Sequence, residues 1–476
     1  MVFVRGSNLS CTLLHRITTR GLILLVFLIA ITPYFTAFGA DSARPPNIIW
    51  IMGDDLGYGD VGCYGQRVIK TPNIDRLAAQ GIRFTDCYAG STVCAPSRCA
   101  LMTGLHTGHA RIRGNGQVPL APEDVTIAEI LKSTGYVTGM VGKWGLGEPE
   151  TTGIPNKQGF DEWFGYLNQH HAHNYYPDVL WKNQQQVKLG NVVENNVATK
   201  RVVYSVDLFT REALDFLDRH QRDRFYLYLP FTLPHANNEA GKQGMEVPTD
   251  EPYSNETWPQ PQKNHAAMIT YLDTQVGKVL ARLGELGLAD NTIVFFTSDN
   301  GPHREGGADP EFFHSSGSLR GFKRALYEGG IRVPMIVRWP GHIAPGTTSS
   351  QVWAFWDAAV TLAELAGAVA PRGTDGISMV PSILGETAAG RSAQNHEYLY
   401  WEFHERGFSQ AVRLGNWKAI RKGPGTPLEL YDLAQDLGEQ HDVAKDHPDV
   451  LTRIETILAS ARTHSADWPV EGLESR

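Results

Sequence analysis

The chain has 476 residues, 42% of them hydrophobic and 20% charged, with a formal net charge of -8. That length and apolar content suit one large packed core with room for a second domain, and they exclude a disordered chain. The acidic balance excludes general nucleic-acid binding, so an anionic substrate must meet a local cluster of cations.

Arg16 and Arg20 precede the apolar run of residues 21–32, and the small residues Ala37, Gly39 and Ala40 follow before a polar stretch. This is the pattern of a signal peptide over residues 1–40, which implies an exported, periplasmic or secreted protein with no stable membrane partner after cleavage. The alternative is an uncleaved anchor, since residues 21–38 approach the ~20 residues of a spanning helix, although Pro33 interrupts them. No later segment is long and apolar enough to span a membrane. The cysteines, at 11, 63, 87, 94 and 99, are too few and too irregular for a disulfide framework or a zinc ribbon.

The apolar run from Ile48 to Met52 predicts a strand buried on both faces, ending in Gly53-Asp54-Asp55. Two carboxylates just past such a strand lie at the carboxyl edge of a sheet, where open α/β folds bind ligands. Residues 71–81 predict a short helix, with Thr71 as cap, Pro72 at its first position and Gly81 past its end. A strand at 83–88 leads into Cys94-Ala95-Pro96-Ser97-Arg98, where Pro96 opens a helix that Gly104 ends. Cys94 thus stands at a helix N-terminus, where free N–H groups favour an anion. A helix at 126–133 and a strand at 136–142 then deliver Lys143.

Residues 160–176 are rich in aromatics and carry His170, His171 and His173. Three imidazoles suit a transition metal, but with no fixed fourth ligand a pocket rim or a packed loop fits them better. Residues 182–199 read as a polar surface excursion and 207–220 as an amphipathic helix, and the strand at 225–231 exits toward His235. A long loop over the active face (241–263) precedes a helix (266–286) and a buried strand (292–298) that ends in Asp299-Asn300. Asp54-Asp55 and Asp299-Asn300 are therefore the same event at two places. Three carboxylates and an amide oxygen suit Ca²⁺ or Mg²⁺, not zinc.

Residues 306–317 are glycine-rich and read as flexible, 319–330 form a basic segment carrying Lys323, and 331–340 a further strand. After a helix at 357–367, Pro371-Arg372-Gly373 and residues 385–391 mark a boundary. Strands at 397–403, 411–413, 417–421 and 428–433, with a Gly415-Asn416 hairpin, and a helix at 449–466 complete the chain. The reading is an α/β fold: a large, mixed, mostly parallel sheet flanked by helices in residues 41–385, then a smaller antiparallel sheet-plus-helix domain in 386–476.

Cys94 to Gly104 matches the pattern C-x-P-S-R-x-x-x-x-T-G at every fixed position. Gly53-Asp54-Asp55, Gly142-Lys143-Trp144, Asp299-Asn300-Gly301 and Lys323 before Tyr327-Glu328-Gly329-Gly330 accompany it in order. With these motifs the chain resembles the type I, formylglycine-dependent sulfatases of the arylsulfatase A kind, within the alkaline-phosphatase-like superfamily. The resemblance implies that a formylglycine-generating enzyme oxidises Cys94 to formylglycine, whose hydrate is a geminal diol. One diol oxygen would bind Ca²⁺ together with Asp54, Asp55, Asp299 and Asn300 and attack the sulfur of a sulfate ester, of a glycan or a small aryl compound. Arg98 would hold the diol, Lys143 and Lys323 would neutralise sulfate oxygens, and His235 would protonate the leaving alcohol.

One position departs from this pattern. Many relatives read G-K-W-H, with a histidine that contacts the diol, where this chain has Gly145. Asp299, His170, His171 and His173 are the candidates to replace it. Two other functions share the same residues: a phosphate or phosphonate monoester hydrolase, and a non-catalytic exported binding protein in which Cys94 stays a thiol.

Overall fold

The computed structural model describes residues 45–473; the signal peptide expected over residues 1–40 lies outside them. Seventeen described strands form three sheets. They are β1 (Asn47–Gly53), β2 (Ile82–Tyr88), β3 (Val137–Lys143), β4 (Glu162–Tyr166), β5 (Val179–Lys182), β6 (Gln185–Lys188), β7 (Val192–Glu194), β8 (Val197–Lys200), β9 (Phe225–Pro230), β10 (Thr292–Ser298), β11 (Arg332–Arg338), β12 (Thr347–Ser349), β13 (Trp353–Ala354), β14 (Leu399–Phe403), β15 (Ser409–Leu414), β16 (Trp417–Arg421) and β17 (Leu428–Asp432). The main sheet runs β12-β2-β11-β10-β1-β9-β3-β4-β5-β6, with β13 beside β2. Its centre, β10-β1-β9-β3-β4, is parallel, while β11 runs antiparallel to both its neighbours and β5 and β6 form an antiparallel edge.

The period of two along a strand explains why the central runs are continuously apolar. Ile48, Trp50 and Met52 of β1 enter one core with Ile293 and Phe295 of β10 and Tyr226 and Tyr228 of β9. Ile49 and Ile51, with Val294, Phe296, Leu227 and Leu229, enter the core on the opposite face. Helices cover both faces, so neither parity can be polar. The first core packs under α2 (Cys94–Thr103), α3 (Ile127–Lys132) and α6 (Asp357–Ala366), and the second under α1 (Pro72–Ala79), α4 (Ser205–Arg219) and α5 (Gln260–Glu285). Each fully buried aliphatic side chain here contributes roughly 1.5–3 kcal/mol. Among the described residues, no helix is long and apolar enough to cross a membrane.

The small antiparallel sheet β14-β15-β16-β17 has two apolar faces as well. Leu399, Trp401, Phe403, Ala411 and Ile420 pack on Tyr88, Val93, Ala100 and Trp356 beside the head of α2, and Trp401 Nε1 donates to the Ala89 carbonyl at 2.9 Å. The other face takes Val450, Ile454 and Leu458 of the last helix, Pro448–Ser460.

Several local expectations are corrected. Residues 182–199 are two tight hairpins, β5-β6 and β7-β8; Asn195 and Asn196, at φ 50° and 60°, supply the left-handed turn of the second. Thr71 does not cap α1 with its side chain. Asp273 of α5 does so, accepting from the Asn73 and Ile74 amides at 2.8 Å each. Helix α5 starts six residues before its apolar pattern, because Pro259 and Pro261 set its first turn. The last helix stops at Ser460, where the chain leaves to bond the 108–111 loop through Thr463 N and Trp468 Nε1. Residues 306–317, expected to be flexible, are tied down: Ser315 O accepts from Gly59 N at 2.7 Å, and a Cβ on Gly57 would fall 2.1 Å from that same oxygen.

Candidate active site

The parallel strands β10, β1, β9 and β3 end on one edge, and the polar residues singled out by the motifs meet there. Asp54 and Asp55 follow β1, and Asp299 and Asn300 follow β10. All four are fully buried. Asp55 turns at φ 64° and donates its amide to Asp299 Oδ1 at 3.0 Å, which locks the two pairs together. Asn300 Nδ2 donates to Asp55 Oδ1 at 2.7 Å and to Gly301 O at 2.9 Å, whereas Asn300 Oδ1 is buried with no partner among the described residues. A buried carbonyl oxygen left unpaired costs about 1–3 kcal/mol. That orphaned oxygen, beside three carboxylates, is the donor set of a hard divalent cation, and the residues fit one.

Cys94 is the first residue of α2, one turn before Arg98; Pro96 stands third, still inside the turn whose amides lack helical partners. Cys94 Sγ lies 3.6 Å from Asp54 Oδ1 and 3.5 Å from Lys143 Nζ. Lys143, the last residue of β3, pairs with Asp54 Oδ2 at 2.6 Å. Arg98 donates Nε and Nη2 to Asp299 Oδ2 at 3.1 and 2.8 Å and Nη1 to the Lys143 carbonyl at 2.6 Å, tying α2 to the ends of β10 and β3. Ser97 adds a bond from Oγ to the Asp299 carbonyl at 2.5 Å. Across the cluster, Lys323 Nζ reaches Asp55 Oδ2 at 2.8 Å, His235 Nε2 at 3.0 Å and Glu305 Oε2 at 3.1 Å.

Charge in this cluster balances: Asp54, Asp55 and Asp299 face Arg98, Lys143 and Lys323, all buried. A divalent cation added to it makes the site positive, as an anionic ester requires. Burial pushes the Cys94 thiol up, outweighing the opposite pull of Lys143. A thiol held protonated by burial is a poor nucleophile in its own right. Burial, then Lys323 and Lys143, push His235 well below the usual imidazole range. The ring is neutral, its Nδ1–H donating to Ala236 O at 2.7 Å and its Nε2 accepting from Lys323. Burial works against the Lys323 ammonium, but Asp55 and its other acidic neighbours outweigh that and raise its pKa.

The four candidates to replace an imidazole at 145 are scattered. Asp299 lies in the cluster beside Cys94. His173 stacks on His235 with ring centroids 4.9 Å apart and bonds Glu239 at 3.0 Å. His171 packs edge-on against Tyr166 at 5.0 Å, and His170 is exposed. Three participants escaped sequence reasoning. Glu305 pairs with Lys323 and Arg324; Asn115 Oδ1 accepts from Ala95 N at 3.0 Å at the head of α2; Gln169 fills the space over Gly145. The Gly114-Asn115-Gly116 turn was a visible signal for Asn115, and the others carry none.

Comparison with known proteins gives a consistent result. The family model described as Sulfatase matches residues 46–368, and that of the N-sulphoglucosamine sulphohydrolase C-terminal region matches residues 320–463. The chain is 34% identical to arylsulfatase A of Homo sapiens, over 88% of each chain. It is 31% identical to N-acetylgalactosamine-6-O-sulfatase of Bacteroides thetaiotaomicron, over 89% of this chain and 94% of that one. Among solved structures, that of Ps i-CgsB in complex with k-i-k-neocarrahexaose matches 90% of this chain and 96% of its own, with a TM-score of 0.76 and 31% identity.

Proposed function

Because the chain belongs to the sulfatase family and is with it a hydrolase of sulfate esters, we propose that its nucleophile is formylglycine made from Cys94 and that its substrates are sulfated sugars. The observation that carries this reading is the seat of Cys94: a buried sulfur at a helix head, within 3.6 Å of Asp54 and 3.5 Å of Lys143. A thiol so placed makes a poor nucleophile, whereas a hydrated aldehyde presents a hydroxyl group to the same oxygen-rich cluster. Relatives named N-acetylgalactosamine-6-sulfatase and N-acetylgalactosamine-6-O-sulfatase, and a structure in complex with k-i-k-neocarrahexaose, support the sugar.

Asp54, Asp55, Asp299 and Asn300 would hold a divalent cation, Ca²⁺ or Mg²⁺. Once bound it supplies Lewis-acid chemistry, acidifying a neighbouring hydroxyl and drawing charge from sulfate oxygens. The protein's own groups do the rest. Lys143 and Lys323 stand ready for the sulfate oxygens as negative charge builds, worth about 2.7–4 kcal/mol of barrier each if they act as preorganised donors. Arg98 holds the head of α2 in register with Asp299 and the end of β3. His235 and Lys323 share a proton between Nε2 and Nζ, from which the departing alkoxide takes its proton. A formylglycine-generating enzyme is the partner in maturation, and the basic, apolar N-terminal run supports export.

The test compares sulfate and phosphate monoesters of one leaving group, with and without a chelator. The expected result is faster turnover of the sulfate ester, lost with chelator and restored by Ca²⁺ or Mg²⁺. Preference for the phosphate ester overturns the sulfatase reading.

A further inference from the structure

A cavity of about 320 Å³ opens beside Gly145, in the size range of small-molecule sites. Its position ties it to the cluster around Cys94. One wall is Asn115, whose side chain is bonded to Ala95 N at the head of α2. The floor is Gly145, two residues beyond the lysine that touches Cys94 Sγ. The far wall includes His170, whose ring lies 5.8 Å from that of His173, which in turn stacks on His235. The cavity therefore lies between the nucleophile's helix and the row of imidazoles that leads to the His235–Lys323 pair.

The chemistry of its walls is selective. Asn115, Gln117, Glu148, Asn168, Gln169 and His170 supply the polar side chains, and no lysine or arginine is among the described residues that line it. Glu148, bonded by Asn168 Nδ2 at 2.9 Å, places a carboxylate there. Gln169 is the unsettled member: both atoms of its amide are buried and neither has a hydrogen-bond partner among the described residues. Two such atoms are costly to leave unpaired, and a donor-acceptor pair such as a sugar's neighbouring hydroxyls satisfies both. The amide is housed over Gly145 because that residue has no side chain; at φ 83°, a Cβ there would fall 2.1 Å from Gln169 Nε2. Gln169 and Gly145 both line the cavity, so the amide stands at its edge.

Resting on the sulfatase reading above, we propose that Gln169 is a specificity-determining residue that grips the sugar ring bearing the ester, and that this ring carries no second anionic group. Amides match hydroxyl or acetamido groups, whereas a second sulfate or a carboxylate finds Glu148 and no cation.

The test uses purified enzyme whose Cys94 is shown by mass to be converted, and a panel of hexoses monosulfated at each hydroxyl, with doubly sulfated and uronate counterparts. The best monosulfated sugar is expected to exceed its doubly anionic counterparts at least about tenfold in kcat/KM. Gln169→Ala is expected to raise its KM at least about fivefold with a smaller change in kcat, and Gln169→Asn to recover part of that loss. Glu148→Gln should narrow the gap between singly and doubly anionic sugars. Equal or better turnover of a doubly anionic sugar by the wild type overturns the proposal and leaves the sulfatase standing. So does a Gln169→Ala enzyme whose loss lies in kcat alone, or one whose unchanged KM accompanies a lowered unfolding temperature. No sulfate release from any member of the panel overturns the hydrolase reading and the subsite with it.

Discussion

Replacing Arg98 with lysine keeps the charge and removes the fork, and the structure sets the size of the effect. Arg98 makes three hydrogen bonds, at 2.6, 2.8 and 3.1 Å, to the Lys143 carbonyl and to Asp299 Oδ2. A lysine ammonium on a single stem reaches one of those two groups. Two charge-assisted bonds are lost, each worth about 1.5–3 kcal/mol, and a buried acceptor is left unpaired. The two bonds alone come to about 3–6 kcal/mol of stability, in line with the roughly 3–5 kcal/mol seen when buried ion pairs are broken. Catalysis should fall further. Arg98 joins the helix bearing Cys94 to two strand ends, and a shift of about 1 Å in such a group costs on the order of 100-fold in rate. Urea unfolding followed by tryptophan fluorescence reads the first effect and steady-state sulfate release the second. The mass of the peptide containing residue 94 is measured on the same preparation, so that loss of conversion is not counted as loss of catalysis. An Arg98→Lys enzyme within about 1 kcal/mol of the wild type, with turnover intact, would refute the argument that this guanidinium organises the site.

Two further substitutions separate chemistry from packing. Lys323→Ala should lower kcat by about 100- to 1000-fold, because a preorganised donor is removed, and most for poorly departing alcohols, because the proton shared with His235 is lost; a loss independent of leaving group contradicts the shared proton. His265 is buried between His303 and Phe313, and neither ring nitrogen has a hydrogen-bond partner among the described residues. Burial, then His303, lowers its pKa to about 3, below the unfolded value of 6.5. The folded chain thus refuses a proton that the unfolded chain accepts, and stability present above pH 6.5 drains away toward pH 3 at up to about 1.4 kcal/mol per pH unit. His265→Phe should remove that part of the acid limb and raise stability near neutral pH, as read by urea unfolding across pH; an unchanged acid limb contradicts it.

How much of this was legible in the sequence depended on where each residue's partners lie along the chain. Strands β1, β9 and β10 are buried on both faces by covering helices, so each reads as an unbroken apolar run and its polar exit stands out: Asp54-Asp55, His235, Asp299-Asn300. The hairpins β5-β6, at the sheet edge, and β7-β8, a sheet of its own, are weakly buried, and without a core to impose alternation they read as loop. Pairings set by distant chain left no local trace. Asp273 caps a helix 200 residues away, Glu305 reaches Lys323 across the loop of residues 306–322, and Gln169 meets Gly145 only through the pairing of β3 with β4. The missing imidazole at 145 was plain in the sequence, and what stands in its place was visible only in three dimensions.

The most direct measurement is the mass of the peptide containing residue 94, from protein produced with a formylglycine-generating enzyme, paired with sulfate release by the same sample. An aldehyde at position 94, turnover proportional to its fraction, and no turnover by Cys94→Ala are the predicted results. An unmodified thiol in a sample that hydrolyses sulfate esters at full rate would contradict the account.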